Sequence, residues 1–557
     1  MAVLHQYSYI FALTTIFAFL DAWNIGANDV ANSFATSVSS RSLTLKQALV
    51  IAACMEFSGS VAVGSRVADT IRTKIIDPFL YEGQPSVLLL TMMCAIVGSS
   101  TFLTVATRFG LPVSTTHSIM GGLVGAGTAS VGIHQINWGW TGVSQVFAAW
   151  AIAPGIAGVF GATLFLITKY FVMIRQRAVT YAFYSIPIYT FFTIGALTML
   201  VVWKGIQLDV NLNGTQVTIC VLSVAAGVTA LQTIFLLPYL WRRIMDEDWQ
   251  LRWYLIWKGP LLLKRPIPPP PPPGINRLNI KDYYQGHLTL EELDCLRASE
   301  HLLQAIQSSP TISDLEKSEV HIRPTPQPPG IPPRPLGPWN SLPVLLWWFK
   351  RIVFHGVEQD VIKMQKRSAV LNWNIEDMHA RTNRFDNRAE YMYSALQVLT
   401  AASASFIHGA NDVANAIAPF TSAYLIWQTG KVENKVHVQE WVLAFGGAAI
   451  VLGLMTYGYQ VMRNLGNRLT LMSPSRGFCM ELGSAITVLI ATKLALPVST
   501  TQCIAGAAIG VGLANGDWRC INLRLVAWIY FGWFITVPVT GLIAGCLMGL
   551  ILNAPRW

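Results

Sequence analysis

Charge is what this chain has least of. Asp, Glu, Lys and Arg make up 12% of its 557 residues, about half the share that soluble domains carry. Such scarcity excludes a globular enzyme held by a single anchor. Cysteine is sparse too, with eight in the whole chain, mostly single within apolar segments (Cys54, Cys94, Cys220, Cys479, Cys546). Neither a CxxC nor a Cys/His cluster occurs, which leaves a zinc site or a disulfide framework without support. There is no P-loop, no HExxH and no GxSxG, so a membrane enzyme acting on phosphate has no motif to rest on. No Lys or Arg region and no cleavage signal precede the first apolar run, which therefore reads as a retained first span.

What is present is apolar: 53% of residues are hydrophobic and the mean hydropathy is +0.44. This composition predicts an integral membrane protein with many spans, embedded in a lipid bilayer. The net charge of +10 could point to nucleic acid, but 20 of the 39 Lys and Arg fall within 241–395. A block of that kind reads as a basic cytoplasmic face, and no nucleic-acid partner is expected.

Apolar segments long enough to cross fall near 7–23, 46–65, 86–107, 114–133, 144–174, 184–203 and 216–240. Five more fall near 391–408, 440–461, 477–493, 499–515 and 523–551. The expected fold is an all-α polytopic membrane protein of about twelve transmembrane helices, some broken or re-entrant. Three regions follow: a membrane domain at 1–240, a cytoplasmic Pro-rich loop at 241–390, and a second membrane domain at 391–557. Six consecutive prolines in PIPPPPPPG (266–274) predict an extended, solvated spacer. LTLEELDCLRASEHLLQAIQ (288–307) has helical periodicity, and LPVLLWWFKRIVF (342–354) reads as an interfacial amphipathic helix. Seven crossings before a cytoplasmic loop put both termini outside. Arg41, Lys46, Arg108, Arg175, Arg177, Arg463, Arg468, Arg476, Arg519 and Arg524 then fall inside, with Arg66, Arg72 and Lys74 the main exception. The sequon at Asn213 falls outside in the same scheme.

Two polar motifs are each written twice. GANDVAN occurs at 26–32 and at 409–415, and LPVSTT at 111–116 and at 496–501. The spacing is nearly the same, 85 residues from Gly26 to Leu111 and 87 from Gly409 to Leu496, which makes this a repeat. Separated by seven crossings, the two copies would enter the membrane from opposite sides. Inverted-topology repeats of this sort build transport sites near the midplane from broken helices. In GANDVAN, Gly and Asn are expected to permit a non-helical turn. Asn28, Asp29, Asn32, Asn411, Asp412 and Asn415 supply oxygen ligands of the kind sodium takes. In LPVSTT, Pro112 or Pro497 ends one helix, and the Ser-Thr-Thr that follows caps the next, whose N-terminus suits an oxyanion. The Gly-rich runs behind (GGLVGAG, GAAIGVG) allow close helix approach.

An intramembrane Asp is functional by default. Asp29 and Asp412 together would repel an anion, and the nearby positive candidates are Arg108 and Lys493. Cation-coupled symport follows, with sodium or protons neutralising the site. Carboxylates also accept hydrogen bonds, which favours a protonated oxyanion such as hydrogen phosphate over sulfate.

The paired motifs resemble the inorganic phosphate transporter family, whose members include sodium-dependent phosphate symporters, with the closest likeness to fungal ones. The resemblance covers about 1–240 and 390–557. It implies import of inorganic phosphate with sodium as co-substrate and no further cofactor, at the plasma membrane; a homodimer is considered as a partner state, but the sequence itself does not give the oligomeric state. Carried over by motif, Asp29 and Asp412 are essential, and Ser114, Thr115, Thr116, Ser499, Thr500 and Thr501 surround phosphate. Glu56, Glu481 and His408 also match family positions, although a lone histidine reads on its own as structural. Gln502 departs from the family pattern, standing where the first copy has His117. Glu56 and Glu481 are not at equivalent repeat positions, so an asymmetric pocket is expected. The alternatives left open are a proton-coupled phosphate or sulfate permease and a phosphate-sensing receptor.

Overall fold

The computed structural model describes residues 3–65, 75–140, 142–204, 213–270, 280–307, 334–367, 375–433, 438–494, 496 and 498–554. Among these residues there are helices and connections and no strand. That is the outcome apolar segments force, because a helix satisfies its own backbone groups where water is absent.

The first membrane region holds α1 (Ser8–Ser39), α2 (Leu45–Val63), α3 (Pro85–Phe109), α4 (Thr115–Val131), α5 (Val143–Thr168), α6 (Ala178–Lys204) and α7 (Gly214–Ile244). The central polar stretch holds α8 (Leu290–Gln307), α9 (Leu342–Val353), α10 (Val361–Arg367) and α11 (Ile375–Ala380). The second region holds α12 (Asn387–Thr429), α13 (Glu440–Tyr457), α14 (Pro474–Lys493), α15 (Thr500–Leu513) and α16 (Leu523–Asn553). Among the described residues, eight of these helices are long and apolar enough to cross a membrane: α1, α2, α3, α5, α6, α7, α13 and α16. Of the other four expected spans, α4 and α15 are only 17 and 14 residues long. The remaining two lie within α12 and α14, which carry buried charge.

One expectation fails outright. GANDVAN does not interrupt its helix in either copy, and α1 and α12 run through it for 32 and 43 residues. Glycine serves close approach here instead of a turn. A Cβ on Gly26 would lie 2.0 Å from the carbonyl oxygen of Ile450, and one on Gly409 would lie 2.1 Å from that of Glu56. So α1 packs on α13, and α12 packs on α2.

LPVSTT does break the chain. Gly110 ends α3 in the left-handed region at φ 67°, and α4 starts five residues later at Thr115. The Gly-rich runs that follow also exchange partners. α4 lies on α16 and α15 on α5, so closely that a Cβ on Gly125 would meet Gly541 O at 1.9 Å and one on Gly510 would meet Gly158 O at 2.1 Å. Each region therefore packs its motif helices against helices of the other, and the core lies between them.

The expected helices in the central stretch form. α9 leaves Leu342, Leu346, Phe349 and Ile352 exposed, as an interfacial helix would. Where described, the proline tract is more engaged than a free spacer, since Arg242 donates to Pro266 O at 2.8 Å and Trp249 to Pro269 O at 3.0 Å. Arg381 donates to Asp377 at 2.7 Å beside α11, which holds that carboxyl below the usual carboxylate range.

Candidate functional site

The two unbroken GANDVAN helices meet the two broken LPVSTT segments at the centre of the core. Asp29 and Asp412 are both buried there. Thr115 donates to Asp29 Oδ2 at 3.0 Å and Thr500 to Asp412 Oδ2 at 3.1 Å, each within its own half. Thr501 crosses over to Asp29 Oδ1 at 3.0 Å. The asparagines cross as well. Asn32 donates to Asp29 Oδ1 at 3.0 Å and to Thr501 at 2.8 Å. Asn415 donates to Asp412 Oδ1 at 3.3 Å and to Thr115 and Thr116, both at 3.2 Å. Each Asn shares its amide hydrogens between the Asp of its own half and the hydroxyls that open the other half's helix. Both are left with a buried carbonyl oxygen, Asn32 Oδ1 and Asn415 Oδ1, that has no hydrogen-bond partner among the described residues.

His408 stands in the middle. Its Nε2 lies 3.0 Å from Asp412 Oδ2 and 3.4 Å from Asp29 Oδ2, and its Nδ1 lies 3.3 Å from Glu56 Oε2. Among the described residues, Asp29, His408 and Asp412 form the one group of ionisable side chains able to converge on a metal ion, with ligand atoms within 4.8 Å. The basic side chain beside the two carboxylates is therefore His408. Arg108 is not part of that group: the side chain is exposed and donates to Tyr457 at 3.2 Å. Lys493 closes α14 with its side chain outside the described residues, as is Pro497.

Other candidates hold the frame. Asn28 spends its whole amide on the break, donating to Thr107 at 3.1 Å and Leu111 O at 3.0 Å and accepting from Val113 N at 3.2 Å. That ties its amide to the frame and not to a cation. Asn411, its counterpart, is half-buried. Ser114 caps α4, accepting from His117 N at 3.2 Å, whereas buried Ser499 makes no such bond. Glu481 is saturated by Thr36 at 2.5 Å, Ser37 at 3.1 Å, Gln397 at 3.3 Å and Thr400, tying α14 to α1 and α12. Reading the sequence missed that latch, and it missed Asp21. Asp21 sits in an apolar run, where its charge alone was the signal.

The arrangement can hold two kinds of charge. Two helix N-termini from opposite halves meet, as the 3.2 Å approach of Thr501 Oγ1 to Val113 O shows, and such ends attract anions. Around them, carboxylate and amide oxygens offer the ligands of a hard cation.

Residues 25–544 match the phosphate transporter family. The chain is 52% identical to the phosphate-repressible phosphate permease pho-4 of Neurospora crassa, covering 100% of this chain and 99% of that protein. It is 27% identical to sodium-dependent phosphate transporter 2 of Xenopus laevis, covering 93% and 94%. A solved structure, the sodium-dependent phosphate transporter, superposes with a TM-score of 0.60 at 26% identity, covering 98% of this chain and 100% of that one. The chain belongs to the phosphate transporter family, a family of permeases and not of enzymes.

Proposed function

Starting from that membership, we propose that this chain imports inorganic phosphate by symport with sodium, at the site between its two halves. One observation carries the reading. Asp29, Asp412 and Glu56 surround a single histidine, so the formal charge of the site, with its acids ionised and His408 charged, is minus two. An anion entering among them must bring cations, because unpaired charge in a dry site is costly. Asn32 Oδ1 and Asn415 Oδ1, unpartnered beside the two carboxylates, are the neutral ligands such cations would take. Phosphate would meet the hydroxyls of Ser114, Thr115, Thr116, Ser499, Thr500 and Thr501 at the two helix N-termini. The reciprocal packing of the halves supports an inverted-topology repeat with alternating access and, with the four remaining segments counted, twelve spans. The polar stretch is taken as cytoplasmic, the termini as outside, and the membrane as the plasma membrane.

A second reading has one observation of its own. A histidine between three carboxylates is a group that can carry a proton, so protons could replace sodium at the same site. Radiolabelled phosphate uptake in cells without their own carriers separates the two, with sodium replaced by choline at two pH values. Loss of uptake in choline is the expected result. Sodium-independent uptake that rises as pH falls would transfer the coupling to protons. Sulfate entry without phosphate entry would remove the substrate assignment, and phosphate binding without flux would make the chain a receptor.

A further inference from the structure

Asp21 lies two turns before Asp29 on α1, about 12 Å along the helix axis. It is fully buried, and neither carboxylate oxygen has a hydrogen-bond partner among the described residues. Asn24, three residues on, shares its helix face. The Asn24 amide nitrogen is anchored on α3, donating to Ser100 O at 3.3 Å and to Thr104 at 2.9 Å. Its oxygen has no partner, and the hydroxyl of Ser100 has none either. The Ser99 hydroxyl lies close enough to the Asp21 carboxyl to hydrogen-bond with it, but its one hydrogen is directed at Ser118 at 3.0 Å, which leaves the carboxylate unpartnered. Four buried oxygens on the α1–α3 groove are thus left without hydrogen-bond partners: both of Asp21, Oδ1 of Asn24 and Oγ of Ser100.

We propose that Asp21, Asn24 and Ser100 bind a monovalent hard cation of the sodium class, at a second site separate from Asp29, Asp412 and His408. The ligand chemistry selects this occupant. Four oxygens with one formal charge match a small monovalent ion. A lone carboxylate would leave a divalent ion under-neutralised. A proton on the carboxyl would reach one neighbouring acceptor and leave the remaining oxygens unmatched. The site exists once. In the register of GANDVAN the second half has Ala404 and Ile407 in place of Asp21 and Asn24, and in the register of LPVSTT it has Ala485 in place of Ser100. None of these three side chains carries an oxygen. The proposal rests on the cation-coupled reading of the central site.

The test is equilibrium binding of radiolabelled sodium to the purified full chain, comparing the natural protein, Asp21→Asn, and the double variant Asp29→Asn/Asp412→Asn. Asp21→Asn should lose one sodium per chain and keep the rest, and the double variant should keep the one at Asp21. If Asp21→Asn binds as many ions as the natural protein with unchanged affinity, the second site is overturned while the central reading stands. If the natural protein binds no sodium, both fall. Size-exclusion chromatography checks the fold. Should Asp21→Asn not survive it, Ser100→Ala takes its place, with weakened binding of one ion expected and unchanged binding overturning the site.

Discussion

The two halves carry the same polar motifs, yet different residues stand behind them. Where α1 crosses α13, Gly26 lies against Ile450, and the residue before it is Ile25. Where α12 crosses α2, Gly409 lies against Glu56, and the residue before it is His408. Both Ile25 and Ile450 are fully buried. The crossings are geometric twins, one apolar and one ionisable. Glu481 repeats the contrast, for in the LPVSTT register its counterpart is buried Ile96. His117 likewise corresponds to Gln502, and Asp21 to Ala404. Duplication supplies a scaffold in which two helix ends meet, and single-copy charges make that scaffold asymmetric.

The largest effect is expected where the halves agree. Asp29→Asn and Asp412→Asn should each lower phosphate uptake by at least about 100-fold at normal surface expression, as loss of an electrostatic contact at the charged centre does. Unchanged uptake in either would break the equivalence of the two motifs. Unchanged discrimination between phosphate and sulfate would remove the hydrogen-bond argument for phosphate.

The ionisable crossing can be converted into its twin. His408→Ile leaves three carboxylates without their partner and should cost about 3–5 kcal/mol of stability, while His408→Ile/Glu56→Ile should recover part of it. Thermal unfolding of purified protein reads both. A double variant no more stable than the single one would mean that the crossings differ in packing and not only in charge.

Gly26→Ala and Gly409→Ala should each destabilise by about 1–3 kcal/mol through overpacking against a backbone carbonyl. The same melting measurement applies, and a large difference between them would contradict the reciprocity of the packing. The smallest effect concerns the caps. Ser114→Ala should cost about 1 kcal/mol because it removes a formed cap. Ser499→Ala should cost less, since Ser499 makes no cap bond. Any loss of uptake in Ser499→Ala therefore reports contact with the transported ions.

Composition alone determined the class: with so little charge and so much apolar length, only a membrane protein buries its surface. Spacing determined the repeat, because two motifs recurring in one order need no coordinates to be recognised. The break at LPVSTT was legible too, since proline followed by Ser-Thr-Thr has a local reason to end one helix and cap another. Local reasoning failed at GANDVAN. Gly and Asn permit a turn, but whether they make one depends on what lies opposite, and opposite lies another backbone that only glycine admits. It failed again with the charges. Arg108 precedes a motif in sequence yet faces Tyr457, whereas His408 reaches Asp29, Asp412 and Glu56, the first and last of these from the other half. The two distances that cross between the halves join residues about 350 to 380 positions apart, and no periodicity carries such information. Which charges neutralise one another was decided only when the helices packed, because burial strengthens the pairs that meet and isolates those that do not.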